Sequence, residues 1–105
     1  MGHPFVTATD DDGRCRLIVD GEFDLALEEG FVACVAELLG NAASATVVVD
    51  LGGVEFIDSS GVRALLRVVL DHPGRVQLGP VSPSVEQVLS MAGVEKAFES
   101  GSSDH

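Results

Sequence analysis

The sequence predicts an α/β fold with a mixed sheet. Three observations carry this expectation. Runs of β-leaning residues alternate along the chain with stretches whose apolar residues recur at helical spacing. The first two runs are close enough in sequence to form a hairpin, and residues 46–50 are apolar without polar alternation, as in a strand inside a parallel sheet. At 105 residues, 46% of them hydrophobic, the chain has the size of one domain around one core.

Residues 5–8 and 14–19 read as strands separated by Asp10-Asp11-Asp12-Gly13, a turn cluster that makes them an antiparallel hairpin. The cluster lacks the loop length and closing Glu of an EF-hand, so it is read as turn chemistry. Gly21-Glu22-Phe23-Asp24 then breaks the second strand. A first helix starts at Asp24, which caps it, with Leu27, Phe31, Cys34, Val35 and Leu38 as its apolar stripe. Glu28 and Glu29 suit the positive end of its dipole, and Gly40-Asn41 ends it.

Residues 46–50 are expected to be the central strand, buried on both faces. Leu51-Gly52-Gly53 reads as a turn before Val54-Glu55-Phe56-Ile57. A second helix opens at Asp58-Ser59-Ser60-Gly61 and buries Val62, Leu65, Leu66 and Val69. Arg63 and Arg67 lie one turn apart on another of its faces, where like charges oppose each other unless an acidic group lies nearby. Asp71-His72-Pro73-Gly74 ends this helix, and residues 75–79 form an alternating strand with Val76 and Leu78 inward. Ser82-Pro83 starts a third helix that reaches about Met91 before Gly93 stops it. A short last helix is expected over residues 94–98, with residues 101–105 frayed. The sum is a sheet of four to five strands flanked by three to four helices.

Seventeen acidic residues against six basic ones give a net charge of -11, which repels phosphate backbones and anionic membranes. Neither nucleic acid nor a membrane is expected as a partner, and the acidity is read as a device for solubility. No apolar stretch approaches the roughly 20 residues needed to span a bilayer. Met1-Gly2-His3-Pro4 carries no export signal, so a cytoplasmic location is expected. Cys15 and Cys34 read as small buried hydrophobes, and no Cys/His spacing suggests a metal. No metal or cofactor is expected.

The chemistry concentrates where a strand meets the second helix, because Ser59 and Ser60 place two hydroxyls at that turn. Unpaired N–H groups and the positive dipole end at a helix N-terminus tolerate a phosphoryl group, whose charge is about -1.5 to -2. Gly61, lacking a side chain, would leave a partner's active site room to approach. On spacing alone, Asp58 and one of the serines read as helix caps.

Three segments then agree with a known pattern in order and spacing. They are Gly21-Glu22-Phe23-Asp24, then Val47-Val48-Val49-Asp50-Leu51 running into Phe56-Ile57-Asp58-Ser59-Ser60-Gly61, then Ser82-Pro83-Ser84-Val85 with Met91-Ala92-Gly93-Val94. In these the chain resembles the STAS-domain anti-sigma factor antagonists, over nearly its whole length. The resemblance implies a single STAS domain over residues 1–105, with its core at about 4–99. It implies a bacterial, non-catalytic partner-switching protein that binds an anti-sigma factor with serine kinase activity and so releases a sigma factor. A serine phosphatase is the further partner expected, and the chain is expected as a monomer or weak dimer. Ser59 becomes the phosphate acceptor, with Asp24 and Asp58 beside it in a partner-binding surface that also takes in Ser60, Gly61 and Arg63. The family often has Thr where this chain has Leu27, and Gly where it has Arg63, so the contact with the partner is expected to be altered. The alternative is a STAS-domain accessory subunit of a lipid transporter, or a component of a stress-signalling scaffold. A hydrolase with Ser59 or Ser60 as nucleophile and His72 as base is not expected, because there is no Gly-x-Ser-x-Gly elbow and His72 lies a helix away.

Overall fold

Alternating apolar residues along residues 14–19 become the start of a strand much longer than the pattern suggested. The computed structural model describes residues 5–9, 14–40, 46–94 and 96. The expected turn at residues 10–13, Asn41, the tails at residues 1–4 and 101–105, and residues 95, 97 and 98 of the expected last helix lie outside the described residues. The elements are β1 (Phe5–Thr9), β2 (Arg14–Phe23), α1 (Leu25–Gly40), β3 (Thr46–Ile57), α2 (Ser59–Asp71), β4 (Val76–Val81) and α3 (Pro83–Ala92). In the sheet β2, β3 and β4 run parallel, and β1 lies antiparallel on the outer edge of β2. The two parallel crossovers use α1 and α2, which pack against each other over the sheet.

Two expected breaks are bulges within continuous strands. Gly21-Glu22-Phe23 continues β2, and Leu51-Gly52-Gly53 continues β3. Against β2, the register shifts from Ile18↔Asp50 to Asp20↔Gly53, and again from Gly21↔Val54 to Glu22↔Phe56, so β3 takes an extra residue each time. Gly21 accommodates the distortion with φ at 82°, a conformation that side chains disfavour. Asp50 Oδ1 accepts the Gly52 N–H at 2.9 Å, satisfying backbone that the bulge takes out of the ladder. The bulges also explain why Leu51, Val54 and Ile57, three residues apart, are all buried.

A single cluster forms the core. It joins Cys15, Leu17, Val19 and Phe23 of β2 and Val47, Val49 and Leu51 of β3 to Phe31, Val35 and Leu39 of α1, Leu65 and Val68 of α2, and Val85 and Leu89 of α3. Phe31 lies between Phe5 and Phe23, edge-on to both, with ring centroids 6.0 and 4.9 Å away. The stripe of α1 is rotated from the expected one, since Glu28 and Leu39 are buried whereas Leu27, Cys34 and Leu38 are only partly so. On α2 the buried face begins earlier, at Ser60 and Gly61, and Val62 and Leu66 lie at its margin. Ser82 is the N-cap of α3, its carbonyl accepting the Glu86 N–H at 2.8 Å, but its hydroxyl donates to the Val54 carbonyl at 2.7 Å instead of capping, which pins α3 to β3.

The central strand is not buried on both faces. Val47 and Val49 are fully buried, whereas Thr46, Val48 and Asp50 point to the opposite face and are half-buried. Arg16 reaches across that face to Asp50 at 3.5 Å. The expectation rested on the absence of polar residues, but β-branched side chains also suit the open side of a sheet. Val49→Asp would therefore place an unpaired charge in the core, at a cost comparable with the roughly 5–15 kcal/mol that holds a small domain together. We expect Val49→Asp to abolish the cooperative thermal transition seen by circular dichroism, while Val48→Asp retains it with a loss of about 1 kcal/mol. Unfolding of both variants, or of neither, would contradict this assignment of faces.

Candidate functional site

The carboxyl ends of β2 and β3 lie side by side, with Phe23 opposite Ile57, and each strand runs directly into a helix. Asp24 and Asp58 occupy the two turns. Each carboxylate caps the helix that follows: Asp24 Oδ1 accepts the Ala26 N–H at 3.1 Å, and Asp58 Oδ1 accepts those of Ser60 and Gly61 at 2.9 and 3.1 Å. The capping role foreseen for both aspartates on local spacing is present.

Asp58 also joins the two turns, since its N–H donates to the Phe23 carbonyl at 3.3 Å. Gly61 completes this contact from the other side. A Cβ at that position would lie 2.5 Å from the same carbonyl oxygen and 2.6 Å from Ile57 Cγ1, so only glycine lets the first turn of α2 approach β2 this closely. Gly61, expected to give a partner room near the hydroxyls, is buried and serves this internal packing.

The serines part company. Ser59, the first residue of α2, is exposed, and Ser60 is buried. Ser60, expected to take part in partner binding, is buried, and Arg63 Nη2 donates to its Oγ at 3.5 Å. Two apolar residues near these turns are also exposed, Leu25 at the start of α1 at 67% and Phe56 near the end of β3 at 53%. Neither apolar residue was singled out from the sequence, because lone apolar residues beside turns are indistinguishable from core.

An ion pair between the helices was also missed. Arg63 Nε and Nη2 donate to the two oxygens of Glu28 at 2.8 and 3.0 Å, a bidentate bridge from α2 to α1. Glu28 is 7% exposed and is the buried charged residue among the described residues. The Arg63 hydrogen bonds hold its carboxyl below the ordinary value of 4.5, against the upward push of burial, and the charges of Arg63 and Arg67 act in the same downward direction. Arg63 is raised in turn by its hydrogen bond and charge interaction with Glu28, with a smaller contribution from Asp58. Glu28 is thus the acidic group that relieves the repulsion between Arg63 and Arg67. His72 ends α2, roughly 20 Å along the helix from Ser59.

The fold is an α/β domain with a parallel three-stranded sheet, an antiparallel edge strand and three helices. The family profile described as STAS_2, "Mlab, STAS domain", matches residues 6–99, and the chain belongs to this family. No curated protein matches it. Among solved structures, the unphosphorylated form of the anti-sigma factor antagonist SpoIIAA is 25% identical with a TM-score of 0.71, covering 88% of this chain and 83% of that one. An anti-sigma factor antagonist from Mycobacterium paratuberculosis has the same fold at 22% identity and a TM-score of 0.74, covering 90% and 82% of the two chains. The murine anion transporter Slc26a9 shares the fold at 21% identity and a TM-score of 0.67, over 80% of this chain and 14% of that one. Among the described residues no helix is long and apolar enough to cross a membrane.

Two variants test the site's construction. Gly61→Ala forces its methyl against the Phe23 carbonyl, and overpacking of this kind costs about 1–3 kcal/mol, which lowers the melting temperature by several degrees. An unchanged melting temperature would refute the contact. For Glu28→Gln, the sign follows from the lowered folded-state pKa. The stabilisation is present above the ordinary value of 4.5 and is lost as pH falls through the folded value. Urea titrations should therefore find Glu28→Gln less stable than the wild type at pH 7 and the two converging in acid. A difference that is constant with pH would contradict the pairing.

Proposed function

We propose that the chain is an anti-sigma factor antagonist. It binds an anti-sigma factor that is also a serine kinase, thereby releasing a sigma factor, and phosphorylation of Ser59 turns the binding off. One observation carries this reading: of the paired serines, Ser59 alone is exposed, at the first position of α2 and directly after the capping Asp58. A hydroxyl exposed at a strand-to-helix turn is open to a partner's active site. In the transfer, the Ser59 oxygen bonds to the γ-phosphorus of ATP, ADP leaves, and the hydroxyl proton passes to the kinase. A similar protein, SpoIIAA, has structures in both an unphosphorylated and a phosphorylated form. The domain itself is non-catalytic and cytoplasmic in this reading, and a serine phosphatase reverses the modification.

Phosphorylation acts here through surface charge. Asp58 already caps α2, so the phosphate adds its charge to a formed helix and leaves the fold in place. The partner surface meets Asp24 and Asp58 in the unmodified state and has no room for further negative charge. A second reading, a STAS-domain accessory subunit of a transport assembly, draws on the fold shared with part of the anion transporter Slc26a9. A transporter permease encoded beside the chain, in place of a kinase-like anti-sigma factor, would favour it.

Incubation with the neighbouring kinase and ATP, followed by mass spectrometry, should place phosphate on Ser59. Ser59→Ala should abolish labelling, and Ser60→Ala should only reduce it. Undiminished labelling of Ser59→Ala would overturn the assignment. Phosphorylation and Ser59→Asp should weaken partner binding by about thirtyfold or more, equivalent to roughly 2 kcal/mol, with little change in melting temperature. A large fall in melting temperature, or unchanged affinity, would contradict a charge switch.

A further inference from the structure

A phosphate on Ser59 needs donors, and the start of α2 has few to give. The N–H groups of Ser60 and Gly61 are held by Asp58 Oδ1, and that of Val62 by the Asp58 carbonyl. The backbone anion site expected of a helix N-terminus is thus largely filled by the protein's own carboxylate. The phosphate must find its partner among side chains.

Arg63 is in position. It lies four residues after Ser59, a spacing that places two side chains on one helix face with Cβ atoms about 5–6 Å apart. Helical side chains lean toward the N-terminus, and here the lean is observed, since the guanidinium reaches back to within 3.5 Å of Ser60 Oγ in the first turn. Its donors are also divided in a useful way. Nε and Nη2 face Glu28 and Ser60, while Nη1 makes no hydrogen bond among the described residues, and the side chain is 57% exposed. Resting on the proposed phosphorylation of Ser59, we propose that Arg63 is the receptor for the Ser59 phosphate, holding it through the Nη1 edge while Glu28 keeps the other edge of the same guanidinium.

The Glu28 bridge is what makes this effective. An exposed Arg–phosphate pair is ordinarily weakened by the entropy lost in fixing a long side chain. At Arg63 that entropy is already lost, because two charge-assisted hydrogen bonds fix the guanidinium before any phosphate arrives. Nor must the phosphate compete for the edge that Glu28 occupies, so the buried carboxylate is not stranded. Asp24, Asp58 and Glu28 stand against Arg63 and Arg67 around this turn, so net charge does not draw the phosphate in; the direct contact with a fixed guanidinium at the positive helix end does. Of the chain's six basic residues, two lie on this helix, which matters in a protein whose overall charge of -11 repels phosphate. Capture in cis would also withdraw Arg63 from the partner surface, so modification removes an exposed cation as well as adding an anion.

The test uses the full chain with phosphoserine installed at position 59 during translation, so its outcome does not depend on any kinase. Phosphorus NMR titration gives the second pKa of the phosphoserine, ordinarily about 6. In otherwise unaltered protein it should be lower by roughly 0.5 or more. Arg63→Gln should restore it; because that change leaves Glu28 buried without its partner, the double variant Glu28→Gln/Arg63→Gln, which strands no carboxylate, is measured beside it. Arg67→Gln should have the smaller effect, since Arg67 lies a turn further from the phosphate. A phosphoserine with its ordinary pKa in the unaltered background would overturn the inference, as would one whose lowered pKa survives in the double variant or responds more to Arg67→Gln. Failure of the kinase to label Ser59 while the installed phosphate is held by Arg63 would sink the proposed function and leave the inference standing.

Discussion

The site depends on one close approach, that of the first turn of α2 to the end of β2. The Phe23 carbonyl accepts the Asp58 N–H from one side and tolerates the α-carbon of Gly61 on the other. Because β2 and β3 are neighbouring parallel strands, this contact sets where one strand ends relative to the start of the helix that follows the other. Asp58 can then cap α2, Ser60 is turned inward, and Ser59 is left outside. A larger residue at position 61 would press against the Phe23 carbonyl and Ile57 and push this turn from the sheet.

The bridge between Glu28 and Arg63 builds on that placement. Burying a carboxylate in a chain of net charge -11 is unfavourable, and a buried ion pair seldom adds net stability over well-packed apolar residues. Its effect is geometric. Two parallel hydrogen bonds allow little variation in how α1 and α2 sit, and the same bonds fix a guanidinium beside the hydroxyls. The turn that exposes Ser59 is therefore held by both the carbonyl contact and the ion pair.

Much of this was legible in the sequence where the signal is local. The order of strands and helices, the caps at Asp24 and Asp58 and the proline at the start of α3 follow from a few adjacent residues each. The motif from Phe56 to Gly61 pointed to the region where Ser59 is exposed. What escaped was nonlocal. Glycines within β3 look like turn residues until the register with β2 shows bulges, and Glu28 looks like a surface charge near a helix start until the fold brings Arg63 to it. Gly61 suggested open space, but the atoms it makes room for belong to another strand. Val48 misled for a different reason: an apolar run fixes neither which face is covered nor whether both are.

The three phenylalanine rings carry a consequence for how freely this sequence can diverge. Phe31 bears on Phe5 with one side and on Phe23 with the other, so the edge strand and the residue whose carbonyl anchors α2 share a neighbour. A smaller residue at position 5 opens a void against Phe31 and loosens the support under Phe23. Neutral drift at position 5 is thus coupled to the site at the same end of the sheet, and substitutions at positions 5, 23 and 31 are best tolerated when they conserve combined volume.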